Sequence, residues 1–158
     1  MKKNFKGFTL IELIVVIAII GVLAAILVPA MMGWVRKASV NSANSNAKSI
    51  FTNAQTIAQE FETRGSVLSG DFSRLKDAAP TASSFQDQVD KTMSGSAGYK
   101  DAWAVRIENG VVVAAVYSAN GATYMGGYPT GADPTKQAMT FAAGDVSKAV
   151  AGSSSYMN

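Results

Sequence analysis

The stretch KKNFKGFTLIELIVVIAIIGVLAAILVP, residues 2–29, decides how this chain is built. Three lysines lead up to Gly7, and a long apolar run follows it. Glu12 interrupts that run, and the residues from Leu13 to Val35 carry no charge. A carboxylate inside a membrane helix costs about 2.5–3.5 kcal/mol at the helix centre and usually serves a function. Glu12 therefore needs a cationic partner, and cleavage after Gly7 would create one, the free amine of Phe8.

The apolar run is long enough to cross a membrane. From Leu13 to Val35 there are 23 residues, about 35 Å of helix against a hydrocarbon core of about 30 Å. A secretory signal peptide has a shorter apolar core and a small-residue cleavage site, for which Val28-Pro29-Ala30 could serve. That interpretation and a plain single-span anchor leave both the Gly7-Phe8 pair and Glu12 unexplained.

The segment Lys6-Gly7-Phe8-Thr9-Leu10-Ile11-Glu12, with the apolar helix behind it, closely resembles the class III signal of type IV pilins and pseudopilins. The resemblance covers residues 1 to about 64 and is architectural beyond them. It implies cleavage between Gly7 and Phe8 by a prepilin peptidase, followed by N-methylation of Phe8. It also implies assembly into a helical filament, in which Glu12 of one subunit pairs with the amino terminus of a neighbour.

The resemblance implies further partners and locations. Basic residues stay cytoplasmic, so Lys2, Lys3 and Lys6 predict that residues 36–158 lie outside the membrane. Such a subunit waits in membrane lipid as a single-pass protein. An inner-membrane assembly platform and motor then add it to a polymer of identical copies, an extracellular pilus.

Gly21 and Pro29 interrupt the apolar helix. A proline removes the hydrogen bond to the carbonyl four residues earlier, here Ala25, and costs about 3 kcal/mol in a helix interior. The simpler interpretation is a tolerated transmembrane kink, because neighbouring groups repair such breaks. In related filaments this region loosens when the subunit leaves the bilayer, so the resemblance implies a built-in weak point.

Composition argues against the common kinds of site chemistry. The 158 residues include no histidine and no cysteine, which supply the commonest general base, thiol nucleophile and transition-metal ligands. The lack of cysteine also departs from the many pilins that carry a C-terminal disulfide. Asp133 and Asp145 could be considered as calcium ligands, but calcium takes six to eight oxygen ligands and these are two isolated carboxylates. We therefore expect no enzyme, no metal site and no cofactor.

The formal charge of +3 comes from the leader. Of the 14 basic side chains, three precede Gly7, so the chain without residues 1–7 has 11 basic and 11 acidic side chains. The basic isoelectric point is therefore no indication of a nucleic-acid partner.

An amphipathic helix is predicted to continue the apolar one. Arg64-Gly65 is a credible stop, because glycine readily adopts the left-handed cap conformation. The whole helix, from Phe8 to about Thr63, would be 56 residues and about 84 Å long. Small or apolar residues recur at intervals of three and four on one face: Ala38, Ala43, Ala47, Ile50, Phe51, Ala54, Ile57, Ala58 and Phe61. The polar face comprises Asn41, Asn44, Ser45, Lys48, Asn53, Gln55, Gln59 and Glu60.

Asn109-Gly110 and Asn120-Gly121 predict two tight hairpin turns, and hence a three-stranded antiparallel meander over residues 102–128. The expected pairs are Ile107–Val112, Val105–Ala114, Trp103–Val116, Val116–Met125 and Tyr117–Tyr124. The face expected on the stripe of Ile50, Ile57 and Phe61 is Trp103, Val105, Ile107, Val112, Ala114, Val116 and Met125. The opposite face, which includes Arg106, Glu108, Val111, Val113, Tyr117 and Tyr124, is too apolar to be wholly solvated.

Shorter elements are predicted around the meander. Residues 66–80 are expected to form a loop with a helical turn near Phe72–Lys76. Ser83 or Ser84 would cap a helix that extends through Met93. Residues 137–142 could add an edge strand.

The expected fold is α+β, a pilin fold in which a long N-terminal helix packs on a small antiparallel meander. The predicted parts are a leader (1–7), a membrane or filament-core helix (8–35), an amphipathic helix (36–64) and a head (65–158) with three or four strands. The expected function is that of a structural type IV pilus subunit. The alternatives are a pseudopilin of a type II secretion or competence system, and an anchored binding domain that never polymerises.

Overall fold

The computed structural model describes residues 7–74, 84–94, 101–119 and 124–131. Two helices and four strands lie within these ranges. In chain order they are α1 (Leu10–Thr63), β1 (Gly70–Arg74), α2 (Phe85–Ser94), β2 (Ala102–Glu108), β3 (Val111–Ser118) and β4 (Met125–Tyr128). The long helix and the small antiparallel sheet confirm the expected α+β, pilin-like arrangement. The chain divides into two compact units between Arg36 and Lys37.

The end of α1 is fixed by a glycine cap. The amide of Ser66 donates to the carbonyl of Phe61 at 2.9 Å, and the amide of Gly65 donates to that of Glu62 at 2.9 Å. This is the Schellman pattern, which requires a left-handed residue just beyond the helix, and Gly65 has φ +87°. The predicted stop at Arg64-Gly65 is confirmed.

In the unit that starts at Lys37, α1 packs on the sheet with its predicted apolar face. Ala38 is the exception, because it is exposed. Alanines let the strands approach closely: a Cβ on Gly126 of β4 would lie 2.1 Å from the carbonyl carbon of Ala43. The buried residues of α1 are Val40, Ala43, Ala47, Ile50, Ala54, Ile57 and Ala58.

Two residues predicted to be on the solvated face of α1 hold the sheet instead. The Gln55 side chain accepts a hydrogen bond from the Val112 amide at 2.7 Å and donates to the Gly110 carbonyl at 3.3 Å. The side-chain oxygen of Asn44 accepts from the amide of Gly127 at 3.0 Å. Both amides are half-buried and satisfy backbone groups of the sheet.

The four strands form one antiparallel sheet in the order β1-β2-β3-β4. The tight turn between β2 and β3 is confirmed, since Asn109 and Gly110 have φ +50° and +80°. Next to the turn, Ile107 pairs with Val112 as predicted.

Beyond that pair the predicted register was wrong by one residue. A bulge lies opposite Arg106 and Ile107, with Val113 as the extra residue, so Val105 pairs with Ala115 and Trp103 with Tyr117. A bulge moves every later side chain to the opposite face. Ala115 and Tyr117 therefore belong to the core that contacts α1, where Ala114 and Val116 were expected.

The β3–β4 register was also wrong. Ser118 pairs with Met125 and Val116 with Gly127, a shift of two residues from the prediction. The Asn120-Gly121 turn lies outside the described residues. The expectation that the second face is not wholly solvated is confirmed, because Ala104, Ala114 and Val116 are fully buried.

The segment after α1 was predicted incorrectly in part. Residues 70–74 form the edge strand β1, paired with β2 from Gly70↔Ile107 to Arg74↔Trp103, where a helical turn was expected. The later helix is confirmed as α2, and its cap is Ser84, whose hydroxyl accepts from the Asp87 amide at 3.4 Å. The edge strand predicted at 137–142 lies outside the described residues.

Candidate functional site

The start of α1 is a reciprocal cap between Thr9 and Glu12. The backbone amide and the hydroxyl of Thr9 donate to Oε2 of Glu12 at 2.8 and 2.7 Å. In return, the backbone amide of Glu12 donates to the Thr9 hydroxyl at 3.3 Å. This capping box satisfies amides that a helix otherwise leaves without a partner.

This role of Glu12 was not predicted from the sequence. The signal was present, because Thr9-Leu10-Ile11-Glu12 has the spacing in which a threonine is followed three residues later by a glutamate. Glu12 thus has a local structural partner before any cleavage. Among the described residues, Thr9 donates to Oε2 of Glu12 and not to Oε1. Oε1 can therefore accept a hydrogen bond from a further donor.

The predicted cleavage site lies just outside α1. Gly7, Phe8 and Thr9 precede the first helical residue, Leu10. The side chain of Phe8 is 83% exposed. A peptide bond in this position is accessible, since it takes part in no helical hydrogen-bond ladder.

The first unit exposes a long apolar surface. Within the part of the chain that the structure describes, one helix, α1, is long and apolar enough to cross a membrane, with a mean hydropathy of 3.2 over its most apolar window, none of which is buried. The large side chains on this surface include Leu10, Ile11, Leu13, Ile14, Ile17, Ile20, Leu23, Ile26, Leu27, Met31, Met32 and Trp34, each 46% exposed or more. Such a surface calls for lipid or protein around it.

The two residues predicted to be a weak point lie inside α1. The helix is continuous through Gly21 and Pro29, and a Cβ on Gly21 would meet no atom within 4 Å. The weak point therefore stays a prediction, and this conformation is the intact helix.

A second cluster of polar side chains is buried between β1, α2 and β2. Arg74 forms ion pairs with Asp87 and, at 2.6 Å, with Asp90. The indole nitrogen of Trp103 donates to the other carboxylate oxygen of Asp90 at 2.8 Å. Arg74, Asp87 and Asp90 are all buried. Burial raises the pKa of Asp90, which the bonds from Trp103 and Arg74 only partly oppose.

This cluster serves packing. The guanidinium of Arg74 joins the edge strand β1 to α2 through its ion pairs with Asp87 and Asp90. Within the part of the chain that the structure describes, no group of three acidic, histidine or cysteine side chains is placed to hold a metal ion. Asp133 and Asp145, the two carboxylates considered as calcium ligands, lie outside those residues.

At the other end of β1, Asp71 and Arg106 form an exposed pair. Arg106 donates from Nε and from a terminal nitrogen to the two carboxylate oxygens of Asp71, at 2.6 and 2.7 Å. These bonds lower the pKa of Asp71. The pair links the edge strand β1 to β2 across a shallow surface depression.

Comparison with known proteins places the recognisable part of the chain at its N-terminus. Residues 2–28 match the prokaryotic N-terminal methylation motif. A fimbrial protein of Moraxella nonliquefaciens is 50% identical over 54 residues, 34% of this chain and 35% of the relative. The type IV major fimbrial protein FimA of Dichelobacter nodosus is 37% identical over 70 residues, 44% of this chain and 45% of the relative.

A third relative is the type IV major pilin protein PilA of Myxococcus xanthus. It is 40% identical over 55 residues, 35% of this chain and 25% of the relative. The chain thus spans less than half the length of each of these three relatives. No solved structure matches the chain.

The motif and the fold define a class of protein: one with an N-terminal methylation signal, an apolar leading helix and a small antiparallel sheet. Within that class, the resemblance of this chain to type IV pilins is confirmed over its N-terminal part. Type IV pilins are structural subunits and not enzymes.

Proposed function

We propose that this protein is a structural subunit of a type IV pilus, polymerised through the first half of α1. The observation that carries the proposal is the methylation motif at the start of an apolar helix that the folded chain leaves exposed. An apolar surface of this size is stable in lipid, or in a bundle of identical helices. Transfer of the helix into water would cost about 25 cal/mol per Å² of apolar surface. This cost opposes the loss of a subunit and so holds an assembled fibre together.

Processing comes first in this proposal. A prepilin peptidase cuts between Gly7 and Phe8, which lie outside the helix, and the new amine of Phe8 is methylated. The subunit then remains in the inner membrane until an assembly platform and motor insert it into the extracellular filament. Gly21 and Pro29 would let the helix loosen during that transfer.

Glu12 sets the register between copies. In an apolar filament core an unpaired carboxylate is costly, and pairing with the Phe8 amine of a neighbour relieves that cost. The cap leaves Oε1 available for the amine while Oε2 stays bonded to Thr9. A copy inserted at another axial offset would leave both charges unpaired.

A pseudopilin of a secretion or competence machine shares this N-terminal plan. The relatives compared above are called fimbrial proteins or pilins, which favours the pilus. The test is to shear filaments from cells at native expression and identify the subunit by mass. Filaments made of this chain support the pilus. The pseudopilin is supported if cells at native expression have no filaments and a strain that lacks the gene retains a secretion substrate.

A further inference from the structure

Two exposed surfaces on this chain combine apolar side chains with charged side chains that form no ion pair among the described residues. The first, here called the basic segment, is Trp34–Lys37 of α1. Trp34 is 75% and Val35 60% exposed. Arg36 and Lys37 are exposed, and neither forms an ion pair or hydrogen bond with any residue that the structure describes.

The second surface, here called the hairpin patch, lies where α1 ends and the β2–β3 turn begins. Its residues are Glu62, Val67, Glu108 and Val111. A Cβ on Gly110 would be 3.3 Å from a carboxylate oxygen of Glu62 and 3.7 Å from Val67, so these two side chains flank the turn. Glu108 and Val111 pair with each other on either side of it. Val67 and Val111 are 58% and 55% exposed, the large apolar side chains most exposed in the described part of the unit from Lys37 onward.

The position of Glu62 calls for a cation. It lies in the last turn of α1, where the helix dipole disfavours a negative charge. Two bases of the same unit are engaged with other carboxylates: Arg64 is 3.8 Å from Glu60, and Arg106 is bonded to Asp71. Among the described residues, Glu62 has no ion pair.

The two surfaces complement each other in charge and in apolar character, and Lys37 and Glu62 of one copy are too far apart along α1 to meet. Lys37 and Glu62 are 25 residues apart on one helix, about 38 Å at 1.5 Å per residue. We propose that the hairpin patch of one copy docks on the basic segment of a second copy. This inference rests on the proposed filament function, and it adds a contact outside the apolar core.

The contact joins two different surfaces, so it is heterologous and repeats from copy to copy without closing. With the helices parallel, it relates two copies displaced by about 38 Å along the filament axis. The exposed ion pairs contribute modestly, and the apolar side chains between them exclude water. The contact therefore specifies which copies are neighbours more than it adds to cohesion.

The absence of cysteine makes disulfide trapping a clean test. In Lys37→Cys/Glu62→Cys, Arg36 and Glu108 keep the complementary charges. Oxidised filaments of this variant should give a ladder of covalent multimers on a non-reducing gel, and neither single variant should. Lys37→Cys/Ser49→Cys is the matched control, because both positions are exposed on α1 but only 12 residues apart. Filaments without a ladder, or an equal ladder in the control, overturn the inference and leave the filament function intact.

Charge exchange provides a second measurement. Lys37→Glu and Glu62→Lys should each lower filament yield severalfold, and the double exchange should restore most of it. If the basic segment serves only to contact lipid headgroups, Lys37→Glu will weaken membrane retention and Glu62→Lys will leave filament yield unchanged, which overturns the inference. A chain that forms no filaments even without substitutions contradicts the proposed function itself.

Discussion

Glu12 and Thr9 bond to each other in both directions at the start of α1, through contacts of 2.7, 2.8 and 3.3 Å. The carboxylate therefore has two possible roles, a cap within its own helix and a charged partner for a neighbouring amine. The first needs an acceptor oxygen, whereas the second needs a negative charge. Substitutions can separate these two requirements.

Glu12→Gln keeps an oxygen that can accept from Thr9 but removes the charge. We expect it to insert into the membrane and to be cleaved normally, while filament yield falls to a small fraction of the unsubstituted level, because the Phe8 amine of the neighbour loses its counter-ion. Quantitative immunoblots of cell-bound and sheared fractions measure both outcomes.

Thr9→Ala is the matched control for the cap. It removes the hydroxyl at a cost of about 1 kcal/mol in helix stability but retains the carboxylate. Filaments should persist in this variant. Normal yield with Glu12→Gln, together with loss in Thr9→Ala, would assign Glu12 to capping alone and contradict the register role.

Gln55 should matter far more than its predicted place on the solvated face suggested. Gln55→Ala leaves the Val112 amide and the Gly110 carbonyl without their side-chain partner. We expect the free energy of unfolding to fall by about 1–3 kcal/mol. Gln59→Ala, at an exposed position one turn later, should change it by less than about 0.5 kcal/mol. Chemical denaturation followed by circular dichroism would show the difference, and equal effects would contradict the assigned contacts.

Gly126 should tolerate no side chain. In Gly126→Ala the new Cβ would lie 2.1 Å from the backbone of Ala43, so β4 or α1 must move. Overpacking a core usually costs about 1–3 kcal/mol, and a clash with backbone lies at or above the upper end of that range. Gly33→Ala is the control, because a Cβ there meets nothing within 4 Å. A melting temperature for Gly126→Ala equal to that of the control would show that β4 does not pack so closely on α1.

The buried carboxylate of Asp90 should give the fold a distinctive dependence on pH. Burial raises the pKa of Asp90 above its ordinary value of 3.8, so the folded chain holds this proton more tightly than the unfolded chain does. Its contribution to stability is fully present below about pH 3.9 and is lost as the pH rises through the raised folded-state pKa. Asp71 acts in the opposite sense, because Arg106 lowers its pKa.

Asp90→Asn isolates this effect, since an amide oxygen can still accept from Trp103. As the pH rises from about 4 toward neutrality, the unfolding free energy of the original chain should fall relative to that of the variant. Denaturation at several pH values provides the measurement. A difference that stays constant, or that grows with pH in favour of the original chain, would contradict the raised pKa.

Much of the fold could be predicted because short local signals determine it. The cap at Gly65 and the turn at Asn109-Gly110 depend on backbone conformations that few residues adopt, so two adjacent residues were enough to predict each of them. The face of α1 that meets the sheet followed from the spacing of its alanines and isoleucines. These features depend little on the rest of the chain.

The errors arose where distant parts of the chain decide the outcome. The segment GDFSR has no β-branched residue, yet as β1 it pairs with β2 along its whole length, and Arg74 and Asp71 form ion pairs with α2 and β2. The bulge at Val113 has no signature within a run of three valines, and it shifted the predicted register. Gln55 and Asn44 looked like solvated polar residues because the backbone groups that they satisfy lie more than 50 residues away.

The candidate site was easier to locate than to interpret. Gly7, Phe8 and Glu12 were singled out by charge and spacing, and the same segment carries the methylation motif. The capping partnership with Thr9 was not predicted, although Thr9 and Glu12 have the spacing of a capping box. The pairing between copies cannot follow from a single chain, and it remains a proposal.

The proposal depends most directly on where the mature chain begins. Tandem mass spectrometry of subunits from sheared filaments, or from the membrane fraction, identifies the first residue and its modification. We expect the chain to start at Phe8 with a methylated amine. A mature chain that starts at Met1, or at any residue other than Phe8, would leave Glu12 without its proposed partner and contradict the account.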